Sequence, residues 1–325
     1  MTFSKDLRFH AHVNEALNKV NKAISPLYAI ARHLPRHTLD QLYKVYIRPH
    51  LDYCDTIYDG HITMRDSTRL ETFQNRAARL TTGTLFRTSS DKLRHELGWD
   101  KLTTRRKMHR LTLYHKITIS GRHNIPDYIT TIIPATRAHE TNRTLRNANH
   151  HTQAQIRTTL HQRSFFCLTG NEWNALPEDI KQLSYQDFKK CIIQQLGTSK
   201  PPTYYSHGTK TVNTLHTRLR TDMSHLNAHM FIVQKSDSPA CACGYPQENT
   251  SHFILSCPKH IHCRNILFNS LSQTLNCNFQ QKTKPTQLQI LLHGTNLSDG
   301  DGRAVARHFQ KYLTNSSRFA SVQQN

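Results

Sequence analysis

Acidic residues are scarce in this sequence. Among its 325 residues, Asp and Glu number 22 while Lys and Arg number 43, which gives a net charge of +21. Such an excess is large for a globular enzyme of this size, and it implies a polyanionic partner. Nucleic acid is the first candidate for that partner, and an anionic membrane surface is the second.

Long apolar runs are also lacking. Because no run reaches about 18 residues, we expect no segment that spans a bilayer. The N-terminal stretch MTFSKDLRFH has no apolar core and does not read as a signal peptide. Without a secretory signal, the eight cysteines indicate a reducing compartment, where they are free, buried or bound to metal. We therefore expect an intracellular protein of the nucleus and cytoplasm, not a secreted one.

The short motifs of common catalytic sites do not occur. The sequence has no G-x-x-x-x-G-K-[ST], no G-x-S-x-G, no H-E-x-x-H and no Gly-rich dinucleotide loop. Two-metal phosphoryl transfer needs clustered carboxylates. The closest acidic pairs, Asp52 with Asp55 and Asp299 with Asp301, are predicted to lie on an amphipathic helix and in a turn. Neither pair predicts a metal site.

What the sequence does contain is helical periodicity, which predicts a mainly α fold. Apolar residues make up 36%, below the ~45–50% usual for globular domains, so the core is expected to be modest. Residues 1–130 are predicted to form a basic helical bundle, in which Pro26 and Pro49 bend the first two helices. Ser67 is the predicted N-cap of the third helix and Gly83 its stop. The predicted helices of this bundle are 10–33, 37–58, 67–82, 90–97 and 101–118.

The rest of the chain is predicted to divide into three parts. Residues 131–197 form an irregular basic connector that ends in a helix capped by Ser184. Residues 198–210 are a linker, because Pro, Ser and Gly are frequent there. Residues 211–325 form a small helical module, with helices over 211–232, 285–293 and 302–314.

Three cysteines and a histidine in the last module have the spacing of metal ligands. Cys241, Cys243, His252 and Cys257 follow the pattern C-x-C-x8-H-x4-C. Thiolates with imidazole suit zinc, which takes four ligands at tetrahedral corners. Since the protein fills all four positions, one structural zinc ion is predicted rather than a catalytic one. The alternatives are a chance grouping of cysteines, or a ligand exchanged for one of three neighbours: His260, His262 or Cys263.

Basic helix faces are the second candidate site. Between residues 61 and 120, thirteen Lys and Arg stand against five Asp and Glu. We expect these faces to contact phosphate, although an ordinary solvated face is the alternative for any single helix. Two arginines of the connector join the candidate set. The predicted nucleic-acid-binding residues are Arg69, Arg76, Arg79, Arg105, Arg106, Lys107, Arg110, Arg137 and Arg143.

The aromatic residues could stack on nucleic-acid bases, but their spacing favours packing in the protein core. Phe165, Phe166 and Trp173 occur together in RSFFCLTGNEWNALP and are interpreted as core anchors. Four tyrosines at helical spacing are interpreted in the same way. These are Tyr43, Tyr46, Tyr53 and Tyr58.

Six segments, in order along nearly the whole chain, resemble non-LTR (LINE-type, jockey-like) retrotransposon reverse transcriptases. Four of them resemble the region just beyond the polymerase core of that family. They are LYKVYIRPHLDYCDTIYDG (42–60), LETFQNRAARLTTG (70–83), LRHELGWDKLTTRRKMHRLTLYHKI (93–117) and RSFFCLTGNEWNALP (163–177). LRTDMSHLNAHMF (219–231), followed by CACG, HFILSC and Arg264, resembles the family's C-terminal zinc-binding segment.

The resemblance implies a role in holding nucleic acid. The first half would correspond to the thumb, which in such polymerases grips the template–primer duplex through its backbone. The zinc segment would help to hold RNA or target DNA, with its ligands at Cys241, Cys243, His252 and Cys257. The family's catalytic aspartates, in a Tyr/Phe-x-Asp-Asp turn, have no counterpart here, nor do its fingers, palm and endonuclease domain. We therefore expect no DNA synthesis by this chain alone, as for a truncated copy of such an element or a partial gene model.

The leading hypothesis is a non-catalytic, nucleic-acid-binding C-terminal fragment of an RNA-directed DNA polymerase. Its expected partners are RNA, DNA or an RNA–DNA hybrid, and no membrane. A second hypothesis has the chain supply a thumb to a separate polymerase core chain. A third is a host-adopted adaptor, whose zinc-stapled module contacts proteins, and a fourth is a non-functional truncated copy.

Overall fold

The described part of the chain is mainly helical. A computed structural model describes residues 1–120, 125–130, 132–133, 135–136, 150–152, 157–198, 200–202, 204 and 208–320. These residues contain no β-strand, and their one β-feature is an isolated antiparallel bridge between Thr136 and His151. The predicted mainly α fold class is confirmed.

Helices of very different lengths follow one another along the chain. Tighter or wider turns extend or join some of them, with 3-10 geometry at Ala31–His33, Pro258–His260 and Phe279–Gln281, and π geometry at Tyr43–Ile47, Lys116–Ser120 and His252–Ser256. The α-helices are α1 (His10–Ile30), α2 (Arg36–Leu42), α3 (Arg48–Asp52), α4 (Asp55–Tyr58), α5 (Met64–Thr82), α6 (Ser90–Leu97), α7 (Leu102–His115), α8 (Asp127–Thr130), α9 (Thr159–Gln162), α10 (Phe165–Asn174), α11 (Glu178–Lys181), α12 (Tyr185–Leu196), α13 (Lys210–Arg220), α14 (Asn227–Ile232), α15 (Ile261–Thr274), α16 (Lys284–His293) and α17 (Asp299–Asn315).

The chain forms two units that are not consecutive in sequence. Unit 1 comprises Met1–Ser25, Lys44–Gln74 and Trp99–Ser199, and unit 2 comprises Pro26–Tyr43, Asn75–Gly98 and Lys200–Asn325. The change of unit after Ser199 falls inside the predicted linker, 198–210. The segment predicted as one bundle, 1–130, contributes residues to both units.

The two helix-internal prolines have different consequences. Helix α1 continues through Pro26 to Ile30, and the predicted helix ends in the 3-10 turn that follows. Pro49 instead follows a π-helical turn, so that the predicted helix 37–58 is divided into α2, α3 and α4. Proline has no amide hydrogen and its ring clashes with the carbonyl four residues earlier, here that of Val45, and a wider π turn accommodates this. Cys54, at φ 58°, separates α3 from α4.

Helix ends follow local capping chemistry, with one cap different from the prediction. Helix α5 starts at Met64 because the Thr63 hydroxyl accepts a hydrogen bond from the Asp66 amide at 3.1 Å. The predicted cap, Ser67, lies inside the helix. The predicted stop at Gly83 is confirmed, at φ 65°. Ser184 caps α12 as predicted, by accepting the Asp187 amide.

The two later helices also differ from prediction at their ends. The predicted helix 211–232 ends early, at Arg220, and the chain then turns through Asp222 at φ 59° before α14. Helix α17 starts three residues earlier than predicted, because the Ser298 hydroxyl accepts the Asp301 amide at 3.1 Å.

Each unit has its own apolar core. In unit 1, Trp173 is 1% exposed and packs with Tyr114 and Phe188, while Phe165 and Phe166 pack against this cluster. The prediction of core anchors is therefore confirmed for these aromatics. In unit 2, side chains of α13, α15, α16 and α17 form the core with Phe253 and Phe279.

The four tyrosines predicted for the core divide equally. Tyr43 and Tyr58 are buried, whereas Tyr46 and Tyr53 are 59% and 58% exposed. The core interpretation is therefore wrong for the latter two, because two faces of this segment are occupied by aromatic rings and only one lies inward. Over the described residues, none of the helices has both the length and the apolar character needed to cross a bilayer.

Candidate metal centre

The four predicted metal ligands come together in unit 2 on two short turns. Cys241 and Cys243 lie in a tight turn, in which the Gly244 amide donates to the Cys241 carbonyl at 2.9 Å. Gly244 has φ 93°, a conformation that disfavours residues with a side chain. His252 opens the π-helical turn and Cys257 closes it, with the Cys257 amide donating to the His252 carbonyl at 2.7 Å. We call these four side chains the Cys3His clasp.

The spacing of the ligand atoms fits a tetrahedral ion. All four atoms lie within 4.8 Å of one another. The sulfurs of Cys241 and Cys257 are 3.8 Å apart, and the Cys243 sulfur lies 3.3 Å from Nε2 of His252. Tetrahedral ligands at the usual Zn–S distance of about 2.3 Å lie about 3.8 Å from one another. The clasp could therefore hold a metal ion, and its dimensions and donor set are compatible with zinc.

Most of the clasp is buried, and burial makes a polar atom without a bonding partner energetically unfavourable. Cys241, His252 and Cys257 are buried, and Cys243 is half-buried. The Tyr245 ring stacks on the His252 ring at 4.3 Å and nearly parallel, which fixes the imidazole plane. Nε2 of His252 is the ring nitrogen that faces the Cys243 sulfur. A bound cation is the simplest compensation for such a set of buried donors.

The thiols of the first turn differ in their ionisation. Burial raises the pKa of the Cys241 thiol to about 12, and the neighbouring thiols add to this effect. The backbone amide of Tyr245 lowers the pKa of Cys243. A metal ligand must be a thiolate, so a cation would have to displace the Cys241 proton, and binding is expected to weaken at low pH.

An ion pair behind the clasp was not predicted from the sequence. Arg318 binds Glu248 through two hydrogen bonds of 2.6 Å, and the Glu248 carboxylate also accepts the Asn227 amide at 2.8 Å. The Cys241 sulfur lies 3.8 Å from the same carboxylate. Burial opposes ionisation of Glu248, but these hydrogen bonds prevail and its pKa is lowered. One signal was available, since Glu248 is the sole acid between Cys243 and His252.

Arg264 supports the other end of the clasp. This residue, which belongs to the resemblance described above, is buried and donates to the Cys257 carbonyl at 2.9 Å. Partners of this kind orient the ligands of metal sites and commonly decide metal affinity.

The three alternative ligands lie outside the clasp. His260 packs edge-on against Phe253, with ring centroids 5.1 Å apart. Cys263 points at the Asn315 carbonyl, 3.6 Å away, and His262 is exposed. Among the residues described, the metal-ligand cluster consists of the four residues predicted first.

Three of the residues predicted to contact phosphate are buried, so the prediction that they are exposed is wrong. Arg105, Arg106 and Arg110 on α7 are 3%, 1% and 4% exposed. They pair with carboxylates of unit 1 that lie far away in sequence, and we call these three arginines the arginine layer. Its contacts are Arg105 to Asp52 at 2.7 Å, Arg106 to Asp59 at 2.5 Å, Arg110 to Glu172 at 2.9 Å and Arg110 to Asp59.

Ion pairs within unit 1 also account for Asp52 and Asp55, the last residue of α3 and the first of α4. Asp52 binds Arg105, and Asp55 binds His109 at 2.5 Å, so both serve the interior of unit 1. Neither belongs to a metal-ligand cluster of the described residues.

The remaining predicted basic residues are accessible to different degrees. Arg69 and Arg76 are exposed, and Arg69 is paired with Asp66 at 2.9 Å. Arg79 is half-buried over the Phe86 ring, and Lys107 lies 3.7 Å from Glu172. Arg137 and Arg143 lie outside the described residues.

A basic stripe on α17 was missed by the sequence prediction. Arg303, Arg307 and Lys311 are exposed and lie at i, i+4 and i+8, on the side of α17 opposite its core residues. No carboxylate of the described residues pairs with them. The i, i+4 repeat of these basic residues was the signal available in the sequence.

Comparisons with known proteins identify no relative. No family model, no curated protein and no solved structure matches this chain.

Proposed function

We propose that this chain binds nucleic acid without catalysis, as the C-terminal part of a retrotransposon RNA-directed DNA polymerase. One observation carries the proposal: the basic stripe of α17 is exposed and pairs with no carboxylate of the described residues. The net charge of +21 adds a field that attracts a polyanion.

The internal pairs remove charges of both signs together. Glu96 and Arg220 are joined at 2.7 Å, with both side chains 5% exposed, and Glu248 is joined to Arg318. The arginine layer binds three further carboxylates in the same way. Since each pair neutralises itself, the positive excess is carried by the rest of the chain.

The basic stripe of α17 places part of the excess positive charge on one helix of unit 2. Its three cations lie on one helix face within the spacing of successive helical turns, which suits contacts to a phosphate backbone. The same unit holds the Cys3His clasp. We assign the clasp to one structural zinc ion, whose binding would order the turns around residues 241–257.

The test is a titration of a short fluorescent RNA–DNA hybrid with the full chain at several salt concentrations. Phosphate contacts release counterions, so the logarithm of the affinity is expected to fall steeply with the logarithm of salt concentration. Zinc chelation is expected to weaken binding if the clasp orders the unit that binds. Affinity that hardly changes with salt would contradict the proposal.

A protein-binding adaptor is the second candidate, and one observation favours it. Phe231 and Ile232, at the end of α14, are 47% and 72% exposed, and exposed apolar groups of this kind suit protein contacts. The same titration discriminates the two candidates, because an adaptor of this kind would not bind the hybrid in a salt-dependent manner. Template-directed DNA synthesis by the purified chain would contradict both.

A further inference from the structure

Unit 1 has a groove of about 560 Å³, and five of its eleven described lining residues are basic. It lies along α7, the π-helical turn that extends α7, and α12. The volume is within the range of about 300–1,000 Å³ typical of ligand sites. Its basic lining residues are Arg48, Arg105, His109, Lys116 and Lys189, and Asp100 is the one acid among the described residues that line it.

Acids at the groove are already engaged by other groups. Asp52, behind the lining, is shared by two guanidiniums, that of Arg48 at 3.0 Å and that of Arg105 at 2.7 Å. The Asp100 carboxylate accepts the Thr198 amide at 2.5 Å, and Asp55 binds His109.

Two lysines that line the groove have no carboxylate partner in the described part of the chain. Lys116 lies on the extension of α7 and Lys189 on α12, and both are exposed. The neighbouring lysine on α12, Lys190, differs from Lys189 in two ways. It is paired with Asp187 at 3.2 Å, and it does not line the groove. Arg48 and Arg105 line the same groove as the two lysines, so four cations line it.

The geometry points to this groove as the place in unit 1 where the phosphodiester backbone of a nucleic acid binds. This inference rests on the function proposed above and gives it a location. Lys116 and Lys189 contact phosphate oxygens from the two walls, and the shared Asp52 holds Arg48 and Arg105 in place below them. The half-buried Tyr185 ring lines the same groove and offers an apolar face to a sugar or base.

The experiment compares the full chain with three variants, Lys189→Gln, Lys190→Gln and the double variant Lys116→Gln/Lys189→Gln. Each is titrated with a short fluorescent RNA–DNA hybrid over a range of salt concentrations, and circular dichroism checks that each is folded. Each lost phosphate contact lowers the slope of log affinity against log salt by about 0.7–0.9. We expect a loss of about one such step for Lys189→Gln and about two for the double variant, with Lys190→Gln unchanged.

Two other results would overturn the inference, and they are distinguishable. If the wild-type chain binds with a steep slope and the double variant matches Lys190→Gln, the groove is not the site while the proposed function stands. If the wild-type chain itself does not bind the hybrid, the proposed function fails and the groove assignment fails with it.

Discussion

Two regions of this chain bury ionisable side chains, and they do so by opposite means. The Cys3His clasp gathers three thiols and an imidazole from one short segment, none of which neutralises another. The arginine layer instead brings guanidiniums of α7 to carboxylates from α3, α10 and the turn after α4, and each group meets its counter-charge. The clasp could therefore bind a cation, whereas the arginine layer already contains its own counter-charges.

The two regions are also expected to respond to different changes. Removing a metal or adding acid should act on the clasp first, since its ligands must lose protons to bind. Removing one partner should act on the arginine layer first, since the other partner is left buried and unpaired. Both tryptophans, Trp99 and Trp173, belong to unit 1, so tryptophan fluorescence reports that unit without a signal from unit 2.

Loss of a clasp ligand is expected to have the largest effect. In Cys241→Ser, zinc content should fall from one ion per chain to none, because structural zinc sites bind with about 10–16 kcal/mol and depend on every ligand. Hydrogen exchange should show lost protection around residues 235–265, with unit 1 unchanged. Cys263→Ser, a half-buried cysteine outside the clasp, is the matched control. Equal zinc content in the two variants would contradict the metal assignment.

Breaking the arginine layer comes next in size. Arg110→Ala removes the buried guanidinium that pairs with Asp59 and Glu172. Arg106 still binds Asp59, but Glu172 keeps only the half-exposed Lys107, so the free energy of unfolding of unit 1 should fall by about 3–5 kcal/mol. Urea unfolding followed by tryptophan fluorescence measures it. Lys107→Ala removes a half-exposed partner of the same Glu172 and should cost no more than about 1 kcal/mol. Similar losses in both variants would show that burial does not set the difference.

Weakening the support of the clasp should have a smaller effect. In Glu248→Gln the ligands remain but the ionic contact with Arg318 is lost, so we expect zinc affinity to fall about 10–100-fold. Competition with a chromophoric chelator measures this affinity. Asp237→Asn, an exposed acid on the same loop, removes the same charge and should leave the affinity unchanged. A loss of equal size in both variants would assign the effect to net charge.

The smallest expected effect is on the pH dependence of the stability of unit 1. Burial lowers the pKa of His115 below its usual 6.5, so the unfolded chain takes up a proton that the folded chain does not. Stability should therefore fall as the pH drops below 6.5, by at most about 1.4 kcal/mol per pH unit for this group. In His115→Gln, which keeps a donor for the Leu183 carbonyl, the slope should be shallower. An identical slope in both proteins would exclude a contribution from His115.

Some features were predictable because their causes are local. The clasp ligands lie within one short segment, so their spacing alone identified them, and the structure brings the same four together. The helix stop at Gly83 follows from the freedom of glycine at positive φ. The start of α5 was misplaced because two hydroxyl residues, Thr63 and Ser67, were available as caps, and the side chain of Asp66 selects the first.

By itself, then, the sequence determined the helical fold class, most helix positions and the four residues of the clasp, because periodicity, capping and ligand spacing act over a few residues. Only the tertiary structure decided which cations lie inside. Apolar periodicity on α7 cannot distinguish a solvated guanidinium from one that meets a carboxylate, and Arg110 pairs with Glu172 across 62 positions of sequence. The division into two non-consecutive units and the groove beside α12 depend on the same long-range contacts, which bring together residues that no local pattern connects.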